Sequence, residues 1–85
     1  MKIVITSDTH GYLPDIEPCD VFIHCGDFSP IEYDRDIPTV YDWMTDVFDV
    51  WLGNIDSKIN IVVPGNHDFV CESTDAGYAL KNAKY

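Results

Sequence analysis

The sequence predicts an α/β fold: a mostly parallel sheet built around a βαβ crossover. Three observations predict it. Three short β-branched runs are spread along the 85 residues, each run ends in a polar or glycine-containing cluster, and one amphipathic helix separates the second run from the third. Strand, helix and strand in that order form a right-handed crossover between parallel strands.

The first run, Lys2–Thr6, is β-branched and apolar. The second, Asp20–His24, carries Val21, Phe22 and Ile23. The third, Ile59–Val63, carries Ile61, Val62 and Val63. All three are continuous rather than alternating, which predicts a sheet buried on both faces. Between the second and third, Val40, Trp43, Met44, Val47, Phe48 and Trp51 recur at the spacing of one buried helix face. Asp42, Asp46 and Asp49 fall on the other side as a solvated stripe. Thr39 is placed to cap the start of this helix, and Gly53-Asn54 to end it. Tyr12–Cys19 and Phe28–Pro38 read as proline-bearing loops, and Ser73–Asn82 as a short last helix capped by Ser73 or Thr74. The aromatics Trp43, Phe48 and Trp51 are expected in the core. Phe28 and Phe69 suit either packing or the rim of a pocket.

Apolar residues make up 46% of the chain, enough to fold as one small domain over residues 1–85. The net charge of −10, from 15 acidic and 5 basic residues, argues against nonspecific binding to nucleic acid or an anionic membrane, because phosphate contacts need Lys and Arg. The three cysteines, an odd number with no Cys-x-x-Cys pair, predict reduced and mostly buried thiols. With no signal-peptide pattern and no membrane-length apolar run, they lead us to expect a cytoplasmic setting.

In open parallel sheets, ligands bind beyond the carboxyl ends of the strands. The first strand ends in Asp8 and His10, the second in Asp27, and the third in Asn66, His67 and Asp68. A lone Asp-x-His or Gly-Asp is an ordinary turn, so their convergence on one rim carries the argument. A carboxylate with an imidazole two residues away suits Mn, Fe or Zn better than Ca or Mg. Asp27 has two oxygens and can bridge two ions, and Asn66 offers a neutral carbonyl oxygen. His67 can then stay off the metal and hand a proton to a leaving group, with Asp68 placed to orient it. The third histidine, His24, lies within a strand and reads as a core imidazole or one supporting the ligands from behind.

Three segments together carry a resemblance to the calcineurin-like metallophosphoesterase superfamily: Ser7-Asp8-Thr9-His10-Gly11, His24-Cys25-Gly26-Asp27 and Val63-Pro64-Gly65-Asn66-His67-Asp68. The resemblance implies the first half of that family's αββα sandwich. It also implies a hydrolase of phosphomonoesters or phosphodiesters that uses a metal-activated water in an in-line attack. Asp8, His10, Asp27 and Asn66 would hold divalent metal (Mn, Fe, Zn or Ni, two ions in the complete family site). His67 and Asp68 would be the catalytic pair.

The family pattern continues with a lone histidine and then Gly-His-x-His, which complete both metal shells. The histidines here are His10, His24 and His67. The expectation is therefore a partial domain with the N-terminal half of the site. The alternative is a catalytically incomplete subunit that holds one metal ion or none and needs a complementary C-terminal chain, or self-association, for activity.

Overall fold

The computed structural model describes residues 1–73 and 80–84, with the side chains of 72 and 73 left aside. Strands β1 (Ile3–Thr6), β2 (Val21–His24) and β3 (Ile59–Val62) form a parallel sheet in the order β1-β2-β3. A 3-10 turn (Ile31–Tyr33), helix α1 (Ile37–Trp43), a π-helical segment (Met44–Phe48) and helix α2 (Asp49–Gly53) make the crossover from β2 to β3. Helix α3 (Phe69–Ser73) follows the third loop. The architecture is the α/β fold that the sequence predicts, and each strand lies within its predicted run.

The sheet is not buried on both faces. Parallel register aligns Ile3, Val21 and Ile59 in one row and Ile5, Ile23 and Ile61 in another. Alternation then sends both rows to the same side. That side is open: Ile3 is 51% exposed, Ile5 63% and the following Val63 50%. The crossover helices cover only the other side, where Phe22, His24 and Val62 are fully buried against Val40, Met44 and Phe48. Beyond β3, Lys84 pairs with Ile61 as a parallel bridge, its N–H donating to the Asn60 carbonyl at 2.8 Å and its carbonyl accepting from the Val62 N–H at 2.8 Å.

The crossover helix differs from its prediction at its start and at its middle. Asp36, not Thr39, is the N-cap, and its carboxylate accepts from the Thr39 N–H at 3.4 Å. Pro38 sits in the first turn, where a missing N–H has no cost. The π-helical segment then adds a residue to one turn and rotates everything after it. Val47, predicted buried, is 39% exposed, whereas Asp49, predicted solvated, is 7% exposed and accepts from the Asn82 N–H at 2.9 Å. Phe48 is buried, with the half-buried Trp43 and Trp51 stacked on it. The last helix starts earlier than predicted, at Phe69; residues 80–82 are not helical, and 74–79, with the Thr74 cap, lie outside the described residues.

Candidate metal centre

Three loops leave the carboxyl ends of the strands side by side. The β1–β2 pairing continues into them: the Asp8 N–H donates to the Gly26 carbonyl at 2.9 Å, His10 to Asp27 at 3.0 Å and Gly11 to Phe28 at 2.8 Å. The second and third loops touch where both lack side chains. A β-carbon on Gly26 would overlap the Gly65 backbone, and one on Gly65 would overlap the Asp27 carboxylate. Gly26 also has φ +106°, which only glycine adopts freely.

Asp8, His10 and Asp27 converge, each offering one ligand atom, with all three atoms within 4.8 Å of one another. The same three residues are the non-glycine positions with positive φ among those described, at +56°, +46° and +58°. Each left-handed residue costs on the order of 1–3 kcal/mol and persists only where its surroundings hold it. Strain therefore coincides with the three residues that converge.

The donors suit a divalent cation. The His10 Nδ1 is buried and has no hydrogen-bond partner among the described residues, an unusual state for a polar atom. The Asn66 amide lies against the Asp27 carboxylate. Its nitrogen donates to Oδ2 at 3.0 Å and Oδ1 at 3.1 Å. The Ser7 hydroxyl, donating to Asp8 Oδ2 at 2.7 Å, holds the Asp8 carboxyl below the usual carboxylate range, with Asp27 and the imidazoles of His10 and His24 acting in the same direction. Asp8 is therefore ionised and ready to bind a cation near neutral pH.

His67 stands beside this cluster, its ring 5.6 Å from that of His10 in an edge-to-face arrangement. Its backbone N–H donates to Asp27 Oδ1 at 2.8 Å. The carboxylate on its ring is that of Asp34, with Nδ1 and Oδ2 3.1 Å apart, and not that of Asp68. Asp68 is fully buried and already saturated, accepting from the N–H groups of Asp27 (2.7 Å), Ser29 (3.0 Å) and Gly65 (2.8 Å) and from the Ser29 hydroxyl (2.7 Å). The predicted Asp68–His67 pairing is thus replaced by a clasp between the second and third loops, because four donors consume the carboxylate.

Asp34 was not legible as a site residue, since it lies in a loop rich in acids and no spacing marks it. It now lines a cavity of about 550 Å³ with Tyr33, Arg35 and His67. The Arg35 guanidinium lies 4.6 Å from the Phe69 ring centroid. Phe28, by contrast, is fully buried in the core, and Tyr12 is 70% exposed. Of the cysteines predicted to be mostly buried, Cys25 is exposed and Cys19 and Cys71 are half-buried. No helix among the described residues is long and apolar enough to cross a membrane.

Comparison with known proteins points the same way. The family model described as calcineurin-like phosphoesterase matches residues 1–84. The human and mouse proteins each named metallophosphoesterase domain-containing protein 1 are 32% identical to the chain over 86 residues. The alignment takes in 99% of this chain but only 24% of each relative. No solved structure matches significantly.

Proposed function

Because the chain belongs to the calcineurin-like phosphoesterase family, we propose that it supplies the N-terminal half of a metal-dependent centre that hydrolyses phosphate esters. The observation that carries this reading is the convergence of Asp8, His10 and Asp27 within 4.8 Å on strained backbone. Asp8, His10, Asp27 and Asn66 would hold the metal, and the two oxygens of Asp27 would let it serve two ions. The Asp, His and Asn donor set suits Mn, Fe, Zn or Ni. A bound divalent metal supplies Lewis-acid activation of water and of the phosphoryl oxygens.

The chain's own residues then position and protonate. Asp34 accepts from the His67 Nδ1–H and fixes the ring beside the cluster. A proton held at Nε2 passes to the leaving-group oxygen. Asp68 acts one step back by clasping the loops that carry Asp27 and His67. The reading includes a phosphomonoester or phosphodiester substrate and a reducing, cytoplasmic setting, the latter supported by the odd cysteine count.

A second reading concerns self-sufficiency. Among the described residues only His10 joins the cluster with an imidazole; His24 is engaged in the core and His67 with Asp34. One imidazole leaves the metal shell short of nitrogen donors. We therefore propose that turnover requires a complementary segment beyond these 85 residues, whether in the same protein, in a C-terminal chain or in another copy.

Calorimetric titration with Mn²⁺ and hydrolysis of bis(p-nitrophenyl) phosphate test both readings. Mn²⁺ binding that vanishes in Asp27→Ala is expected; unchanged affinity in that variant would refute the ligand set. With the complementary segment present, His67→Ala is expected to keep the metal and to lose at least about 100-fold in turnover, the scale of a general acid. Full turnover by the isolated 85-residue chain would overturn the need for a complement, whereas recovery on adding a second-half polypeptide would support it.

A further inference from the structure

We infer that His24, which is not among the ligands or the proton donor, is a positioning residue whose single neutral imidazole ties together the two loops that carry Asp8, His10 and Asp27. The inference rests on the proposed metal centre for its purpose, but its geometry stands independently. His24 is fully buried at the end of β2, edge-on to Phe28 and Phe48 at 5.8 Å each. Its Nδ1 accepts from the Gly26 N–H at 3.1 Å, and its Nε2 lies 2.8 Å from the Thr9 hydroxyl.

The tautomer follows from chemistry. A backbone N–H can only donate, so Nδ1 carries no proton. In the neutral ring the proton then sits on Nε2, which donates to Thr9 Oγ1. Burial among aromatic rings favours that neutral form.

The two partners occupy telling positions. Thr9 lies between Asp8 and His10, and Gly26 immediately precedes Asp27. One ring therefore grips the middle of the first ligand loop and the entrance to the second. The backbone bonds between those loops fix their spacing, but Asp8, His10 and Asp27 all sit at positive φ. Left-handed residues of this kind relax unless held from more than one direction. The His24 ring supplies a second direction, from within the core.

The experiment combines Thr9→Val, which removes only the hydroxyl, with His24→Asn, whose amide oxygen can still accept from the Gly26 N–H but cannot reach Thr9. Titrated with Mn²⁺ alone, each single variant is expected to bind about tenfold more weakly than the parent chain. The double variant is expected to bind no more weakly than the worse single one, because both delete the same tie. Unchanged affinity in Thr9→Val, or losses that simply multiply, would overturn the inference.

Amide hydrogen exchange on the metal-free chain gives a second reading. Thr9→Val should speed exchange at His10 and Asp27 about tenfold while leaving Ile23 in β2 unchanged. Unaltered exchange at both loops would overturn the tie whether or not metal binds. Failure of the metal centre itself looks different: the parent chain would bind no Mn²⁺, and the exchange data would still decide the role of His24.

Discussion

At Asp27 the backbone turns through φ +58°, its N–H donates to Asp68, and its carboxylate faces Asn66 and the His67 N–H. Few residues tolerate that combination; Asp does because its short polar side chain stabilises left-handed backbone locally. His24 makes the opposite case, an imidazole placed to remain neutral. Burial pushes its pKa below the ordinary histidine value, and the carboxylates of Asp68, Asp8 and Asp27 only partly oppose the shift. Below about pH 6.5 the unfolded chain therefore takes up a proton that the folded chain resists. Stability attributable to His24 is complete above that pH and is lost as pH falls through it. Urea denaturation of the metal-free chain at several pH values between 7.5 and 5.5 should show this fall, with a slope of up to about 1.4 kcal/mol per pH unit. The His24→Asn variant should lack that component.

The crossover helix shows how one local irregularity redistributes chemistry along an element. With uniform helical spacing, Asp42, Asp46 and Asp49 would share solvent. The π-helical segment at Met44–Phe48 turns Asp49 inward instead, where its Oδ1 accepts from the Asn82 backbone and its Oδ2 lies 3.2 Å from the Asn82 amide nitrogen. Asp49 thereby anchors the chain just before Lys84 joins β3. Asp49→Ala is expected to lower stability by about 1–3 kcal/mol, since it removes the hydrogen bonds of a buried carboxylate to the Asn82 backbone and amide. Asp46→Ala, on the exposed side, should stay within about 0.5 kcal/mol. Chemical denaturation of the two variants separates the cases, and equal effects would argue against the rotated register. Hydropathy alone did not reveal this, because Val47 and Phe48 are both apolar and either phase of the helix satisfies the pattern.

Across the whole molecule the core is one-sided. Phe22 and Val62 meet the helices, while Ile3 and Ile5 on the opposite face remain open. Phe22→Ala should therefore cost about 3–5 kcal/mol, enough to unfold a chain this small. Ile5→Lys should change monomer stability by no more than about 0.5 kcal/mol, because the side chain already stands in water. Thermal melts of both variants check the contrast; a large loss for Ile5→Lys would mean that its face is covered in solution. Continuous apolar runs led to the expectation of a sheet covered on both sides, and the runs are indeed apolar on both faces. What covers a face depends on how much other structure is available, and the chain spans about a quarter of the length of the curated relatives it matches.

The sequence by itself determined the parallel sheet, the crossover and the rim on which Asp8, His10, Asp27, Asn66 and His67 gather. These follow from short-range patterns: β-branched runs, helical spacing and the polar clusters that end each strand. The tertiary structure decided which carboxylate serves which partner. Asp68 clasps two loops and Asp34 meets the His67 ring, 33 residues apart in sequence. It also showed that His24 joins the loop carrying Asp8 and His10 to the loop carrying Asp27. Such pairings depend on where folded loops meet in space, and single residues in a loop carry no periodicity to announce them.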